Sequence, residues 1–582
     1  MRVIPLLLCL VYFVAATAMY LAFPYWMGRE KALLLGAYLG TALPGLGLLF
    51  RKGPVGELPR LVPLRFLLAA SLLVLTGLTA AFNQGGEVPD ESVYQFQAAT
   101  LRTGHLTAPG PPPDILADPA LRRAFSFTHT LLIDGRHFGK YPLGYPAVLA
   151  AAEAIGVDRI ANGFFSWLIV CAAAWLARDL YSPAVAQWTV VVLTASPFFL
   201  FNSLGWYAHN LAGALVAWAT VAAIASRRRN PVLLSTAAAV ALSACLLVRP
   251  FVAVVAGVPL GLYALWQHAG RPRVIVTAAS TALPLVGLGV TAYLFIQKQL
   301  TGGWFTSPYS LYYQSGAIPK EINLSPISLV TNLVTITPSA IADTLLASFP
   351  LVLPLAAVAL FRFRKQTEPK PALLLASAFF LFVAAYLVQT EISTSAVGDR
   401  YYFEAYFAAV IVAVSLPWPR YLLAPCLALI TLPQLAIYAK VAHDARRPYA
   451  AMAEAARAVS PPTRLVYLEQ GDTHFYGSWL NLNPPDWQNV PVLVLIDPGP
   501  GHRDRLAQRL GRQQWVLLDW NPETRRVVTF VRESTAGTSG GSAPSGRAGG
   551  QAQQSRALRE GRAHTLREFP CRSTPGRSPH CG

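Results

Sequence analysis

The stretch Leu64-Arg-Phe-Leu-Leu-Ala-Ala-Ser-Leu-Leu-Val-Leu-Thr-Gly-Leu-Thr-Ala-Ala-Phe82 runs directly into Asn83-Gln-Gly-Gly-Glu-Val-Pro-Asp-Glu91, and that junction decides the fold class. A helix of about 20 apolar residues crosses the hydrocarbon core of a bilayer. This run carries one charge, then turns polar within a residue. The same texture returns at Leu6 to Met27, Ala32 to Phe50, Ile160 to Ala177, Ala184 to Asn202, Tyr207 to Ala225, Val232 to Val248, Phe251 to Trp266, Val274 to Ile296 and Ala372 to Gln389. With further spans up to Tyr438, the pattern predicts a polytopic α-helical membrane protein of about 11 to 13 transmembrane helices. The first run lacks a small-residue cleavage pattern and is soon followed by a second span, so it reads as a retained helix.

Composition agrees. Of 582 residues, 54% are hydrophobic and 13% charged, with mean hydropathy +0.42, where soluble domains carry about 25% charge. The net charge of +18 is spread over short loops and a basic tail, with no basic stripe interleaved with aromatics, so no nucleic-acid partner is indicated. Cys9, Cys171, Cys245 and Cys426 sit inside apolar runs, and Cys571 and Cys581 in the tail. That spacing supports neither a zinc site nor a disulfide framework.

Basic clusters orient the chain. Arg51, Lys52, Arg60 and Arg65, then Arg227 to Arg229, Arg271 with Arg273, and Arg362, Arg364, Lys365 and Lys370 fall in short loops. Placing all of them inside puts loops 83–140 and 297–338 and everything after Tyr438 outside. The expected organisation is two N-terminal helices in residues 1–63, a transmembrane catalytic module in 64–438, a small extracytoplasmic α/β domain in 439–533 and a disordered Arg/Gly/Ser-rich tail in 534–582. Strands are expected at Arg464 to Glu469, Val490 to Asp497 and Gln514 to Asp519, with a helix over His502 to Leu510. The tail has too few large apolar residues to order itself.

The chemistry gathers in the first outer loop. Pro89 starts a helix whose first turn holds Asp90 and Glu91, where carboxylates complement the free N–H groups. Read alone, Asp90 is a helix cap as readily as a base. The same loop, however, ends in Lys140-Tyr-Pro-Leu-Gly-Tyr-Pro146, a cation beside rigid turns. A carboxylate base and a phosphate-holding cation on one outer loop suit transfer from a phosphorylated lipid. Glu91 projects about 100° from Asp90 around the helix, so it suits orientation of acceptor or backbone. Arg249 beside Pro250 is a weaker cation candidate, and His129, His137 and His209 are scattered. The segment Trp304 to Tyr313 is aromatic and outside, as a cover for a sugar or as an interfacial belt.

Taken in order and spacing, these segments resemble GT-C glycosyltransferases. Pro89-Asp90-Glu91 with Tyr94 and Gln97 looks like their first-loop acidic motif, Lys140 to Pro146 resembles their K-Y-P-P-G-W-P segment, and Gly398-Asp-Arg-Tyr-Tyr-Phe-Glu404 looks like their late R-Y motif. The pattern is similar to protein O-mannosyltransferases and lipid A aminoarabinose transferases over Leu64 to Tyr438. It departs at Leu143 and Tyr145, where that family has proline and tryptophan, and in its two extra leading spans. The resemblance implies a GT-C-like membrane fold and inverting transfer of a sugar from a polyprenyl-phosphate donor to a glycan, lipid or protein acceptor hydroxyl. The active site would lie on the extracytoplasmic face of the plasma or inner membrane. It implies Asp90 and Glu91 as catalytic residues, Lys140 and Arg400 on the donor phosphate, and Tyr94, Tyr141 and Tyr401 against substrate. No cofactor is required by the sequence, and a divalent metal stays open. The rival classes are a transporter or flippase, argued against by the lack of repeat symmetry and of mid-span charges, and a non-catalytic polymer-assembly partner.

Overall fold

The computed structural model describes residues 61–533 apart from 84–87, 315–324, 350–351, 363–368, 389–397, 417–430, 460–463, 470–476, 513, 522–523 and 525. The expected spans before residue 61 and the tail from 534 lie outside the described residues.

Helix after helix opens on a proline. This residue lacks the N–H that a first turn leaves unused, and its φ already suits the helix. Pro89, Pro113, Pro119, Pro183, Pro197, Pro231, Pro250 and Pro272 all stand in a first turn. The chain begins with α1 (Leu64–Phe82) and the outer helix α2 (Pro89–Arg102). An irregular outer region follows, with β1 (Ala108–Pro109), short α3 (Pro113–Leu116) and α4 (Pro119–Arg123), β2 (Thr130–Ile133) and β3 (Arg136–Gly139). Then come α5 (Gly144–Ala154), α6 (Asp158–Leu180), α7 (Pro183–Ala195), α8 (Pro197–Asn202), α9 (Ala208–Ala225), α10 (Pro231–Val248), α11 (Pro250–Gln267) and α12 (Pro272–Thr301). Beyond them lie α13 (Pro308–Gln314), α14 (Pro326–Thr331), α15 (Thr337–Ala347), α16 (Val352–Arg362), α17 (Pro369–Ala385), α18 (Phe403–Ser415) and α19 (Leu432–Ala458).

Seven described helices are long and apolar enough to cross a membrane: α1, α6, α9, α10, α11, α12 and the helix over Lys370–Val388. This is a multi-pass membrane protein. The stretch Ala184 to Asn202 is not one span, because Pro197 removes a helical N–H and divides it into α7 and α8. Helix α18 is the packing centre, buried from Phe403 to Val414, and contacts α9, α16 and α17. Helices α1, α10, α11 and α12 line the outside, with Leu73, Leu233, Leu262, Val276 and Leu288 exposed, as lipid-facing side chains must be. Small residues set the closest approaches. A Cβ on Gly163 of α6 would sit 2.6 Å from the Leu75 carbonyl oxygen of α1, so only glycine allows these two backbones to meet.

The polar layer stands at one end of the bundle. Strands β1, β3 and β2 form a three-stranded antiparallel sheet, with Leu131 opposite Phe138. Beyond α19 lie β4 (Arg464–Leu468), β5 (Val492–Ile496), α20 (Arg503–Arg509), β6 (Gln514–Asn521) and β7 (Arg526–Glu533). Their sheet has the order β5-β4-β6-β7, with β4 parallel to both neighbours and β7 antiparallel to β6. Alternation along β4 sorts its two faces. Val466 and Leu468 pack under Tyr449, Met452 and Ala456 of α19. Leu465 and Tyr467 face Ile115, Leu121 and Phe125 from the first outer loop. Loop and domain thus share one core, and α19 passes without a break through position 438, where the last expected span ends. Strand β7 and the small β1-β3-β2 sheet have no counterpart among the expected elements.

Candidate active site

Helix α2 delivers two adjacent carboxylates to different places. Glu91 is fully buried. It accepts from the Val88 N–H (3.4 Å) and from the Trp206 N–H (3.0 Å), with Arg446 at 4.0 Å. Gly205 makes room for it: its φ is +81°, and a Cβ there would collide with Glu91 Oε1. This carboxylate is held in backbone and protein contacts, on the side away from Asp90.

Asp90 makes none of those contacts. Its Oδ2 accepts from Arg400 Nη2 at 2.7 Å, and its Oδ1 stands 3.0 Å from His129 Nδ1. His129 Nδ1 is also 2.8 Å from the Tyr141 hydroxyl. Burial alone would raise the Asp90 carboxyl, but Arg400, His129 and Lys140 outweigh it and hold it well below the usual carboxylate range. Burial draws His129 below the ordinary imidazole range, against the opposing pull of Asp90. Its Nδ1 faces the Asp90 carboxylate and the Tyr141 hydroxyl together.

Arg400 sits in a short 3₁₀ turn, Arg400–Tyr402, opened by Asp399, whose side chain accepts from the Tyr401 N–H at 2.9 Å. Its guanidinium lies 5.2 Å over the Tyr207 ring. Only Nη2 is bonded to Asp90. Among the described residues, the buried Nε and Nη1 have no hydrogen-bond partner, whereas buried donors are ordinarily satisfied by protein, water or a bound ligand.

Lys140 closes the group from the end of β3. It is 3% exposed, donates to the Tyr313 hydroxyl at 2.8 Å, and lies 4.7–5.4 Å from the rings of Tyr141, Tyr309, Tyr312 and Tyr313. A small cavity next to it is lined by Tyr293, Ile296, Gln297, Leu300 and Tyr309, so a polar head and an apolar wall adjoin. Tyr94 packs against Tyr141 (4.7 Å) and Tyr145 (4.9 Å) beneath this group.

Tyr401 belongs to a neighbouring cluster. It stacks on Tyr386 at 4.8 Å with Arg249 5.7 Å above it. Arg249 Nε and His209 Nδ1 each stand 3.0 Å from Glu404 Oε1, Arg249 Nη1 meets His209 Nε2 at 2.8 Å, and Arg249 Nη2 donates to Tyr386 (3.1 Å). The structure therefore brings Asp90, Lys140, Tyr141 and Arg400 together, with Tyr94 beneath. Tyr401 stands with Arg249, and Glu91 lies apart. His129, the α13 tyrosines, His209 and Glu404 are additions that sequence reading had scattered or passed over. The signal for the tyrosines was present in the aromatic run to Tyr313, and Glu404 ends the Gly398–Glu404 segment already singled out, but nothing local marks His129 or His209.

A resident metal needs carboxylate or imidazole donors converging on one point. Among the described residues no three His, Cys, Asp or Glu groups do so, and both Asp90 oxygens already face Arg400 and His129.

No protein-family model matches the chain, and no curated protein matches it. Solved structures do. ArnT from Cupriavidus metallidurans bound to undecaprenyl phosphate superposes with a TM-score of 0.53 at 12% identity, over 80% of this chain and 97% of that one. The Archaeoglobus fulgidus oligosaccharyltransferase gives 0.48 at 13%, over 78% and 69%. The arabinosyltransferase EmbB from Mycobacterium smegmatis gives 0.39 at 14%, over 66% and 34%. The chain shares its fold with ArnT. Among the structures named, it is the ArnT likeness, end to end in that chain, that carries this statement.

Proposed function

We propose that this protein is a membrane glycosyltransferase that moves a sugar from a polyprenyl-phosphate donor to an acceptor hydroxyl at the extracytoplasmic face, with inversion. The observation that carries the reading is the Asp90–Arg400 pair. One guanidinium nitrogen binds the carboxylate at 2.7 Å, while two others are buried with no partner among the described residues. ArnT shares the fold and was solved with undecaprenyl phosphate, which supports a polyprenyl phosphate as the carrier.

In this reading the acceptor oxygen attacks the anomeric carbon and its proton passes to Asp90. The bond from that carbon to the phosphate oxygen breaks, and the electron pair leaves on the phosphate. Arg400 and Lys140 meet the charge that develops there, with Arg249 as a further cation. The apolar wall beside Lys140 suits the first part of the lipid chain. Arg400 also links the two halves of the reaction. A phosphate drawing on its free nitrogens weakens its hold on Asp90, so the base strengthens as the donor arrives.

The test is transfer by the purified protein from a radiolabelled polyprenyl-phosphate sugar, scored as label moved to acceptor. Label released from the lipid into a glycan, lipid or protein product supports the reading. Donor carried across a vesicle membrane with its sugar intact would replace it with a flippase.

A further inference from the structure

We propose that the C-terminal α/β domain sets the base in position through one turn, Gly477–Trp479, which pins both partners of the Asp90–His129 contact. This rests on the glycosyl-transfer reading above, and assigns the domain a part in that reaction.

The two pins come from consecutive residues. Ser478 holds the segment before His129: the Thr128 N–H donates to the Ser478 carbonyl at 2.8 Å, and Thr128 Oγ1 donates to Ser478 Oγ at 2.9 Å. Trp479 holds the helix of Asp90: Ser92 Oγ lies 2.7 Å from the Trp479 carbonyl, closer than the 3.0 Å to the Pro89 carbonyl of its own helix. Thr128 is one residue from His129, and Ser92 is two from Asp90. The turn thus fixes the spacing across which His129 Nδ1 meets Asp90 Oδ1 at 3.0 Å.

His129 needs such support. Its φ is +67°, a left-handed conformation in which an L side chain crowds its own carbonyl, and which persists where surrounding contacts impose it. The contacts are Thr128 on one side and, on the other, the Lys140 N–H donating to the His129 carbonyl at 2.9 Å. The ring is set edge-on against Tyr141 and Tyr312. The groups facing it are therefore Asp90 from α2, Lys140 and Tyr141 from the end of β3, Arg400 from the turn before α18, and Tyr312 from α13.

The turn is itself rigidly seated. A Cβ on Gly477 would lie 2.8 Å from the Leu468 carbonyl oxygen at the end of β4, and Trp479 stacks on Tyr449 of α19 with ring planes 5° apart. Sheet, helix and base are thereby one mechanical unit. His129, Thr128, Ser92 and Ser478 are positioning residues, since they act through Asp90.

The experiment compares full-length wild type with Ser92→Ala/Thr128→Val, Thr128→Ser and His129→Asn, measuring kcat, donor KM and the acid limb of the pH–rate profile. Asparagine tolerates a positive φ, so His129→Asn removes the imidazole with little backbone strain. The expected result for the double variant is a fall in kcat of about ten- to a hundredfold, the scale of a misplaced catalytic group, with donor KM unchanged. Thr128→Ser, which keeps the hydroxyl, should retain wild-type turnover. His129→Asn should lower kcat and move the acid limb to higher pH, because Asp90 loses a donor that favours its charged form. Wild-type kcat in the double variant, or a fall in kcat for His129→Asn with an unmoved acid limb, overturns the proposal. A wild-type protein that transfers no sugar brings down the glycosyl-transfer reading, and this proposal with it. Active wild type beside unaffected variants sinks the positioning proposal alone.

Discussion

Asp90 and Arg400 are 310 positions apart, and nothing local in either segment says that they pair. Each was legible separately, as an acid in a first turn and as a cation at the head of an apolar run. Their 2.7 Å bond is a product of the fold. His129 was less legible still: its value depends on a positive φ and on a partner outside its own segment, and neither leaves a periodic trace. Two outcomes follow at this scale. Asp90→Asn keeps size and shape while removing the base, so single-turnover transfer should drop about 10²–10⁴-fold with donor affinity retained; near-normal transfer would remove Asp90 from the mechanism. The second concerns pH. In the proposed mechanism Asp90 acts in its ionised form; burial raises its pKa, and Arg400 is the main influence lowering it. Arg400→Met leaves burial in place and takes the opposing charge away, so the acid limb of kcat/KM should move to higher pH, with weaker donor binding. A limb that stays where wild type has it contradicts the electrostatic argument.

The helices were legible because membrane burial writes a long apolar signal and prolines mark the first turns. The break at Pro197 is the exception, since an apolar run on both sides of a proline masks the division between α7 and α8. Strands β4, β5 and β6 were legible as short buried runs. The β1-β3-β2 sheet was not, because strands of two to four residues in a Gly- and Pro-rich loop carry no alternation to read. Strand β7 was passed over although Val527 to Val531 is an unbroken β-branched and aromatic run bounded by Arg526 and Arg532. The contact between α1 and α6 offers a test of packing at this scale. Gly163→Val should cost about 1–3 kcal/mol through overpacking, read as a lower unfolding midpoint in detergent. Gly257→Ala, whose Cβ would meet only Leu242 Cδ1 at 3.7 Å, should cost nothing. Equal midpoints for the two variants would show that the α1–α6 contact yields freely.

For the molecule as a whole, the arrangement of charge gives a sidedness. Helix α6 leaves the outer-loop layer at Asp158, and at its far end Asp179 pairs with Arg227 (2.6 Å) and Arg228 (3.5 Å), within the basic loop that the positive-inside rule places in the cytoplasm. His105 and Asn230 are exposed at opposite ends. In a cysteine-free background, His105→Cys should react with an impermeant maleimide on intact cells, and Asn230→Cys only after the membrane is opened. The reverse pattern would invert the molecule and move the site to the other face.

The shared core of the first loop and the C-terminal domain also governs how the protein is made. Ile115, Leu121 and Phe125 emerge early, yet the sheet that covers them belongs to the C-terminal domain, whose Ser478 follows Thr128 by 350 positions and whose Trp515 and Leu517 come later still. At ordinary synthesis rates that interval is roughly 20–70 s. Throughout it, an apolar surface stands uncovered while span after span is inserted. A chain that stops short of β6 never covers it. Quality control therefore has a simple cue: the loop that would carry the base stays greasy and open to proteases until the last strands arrive.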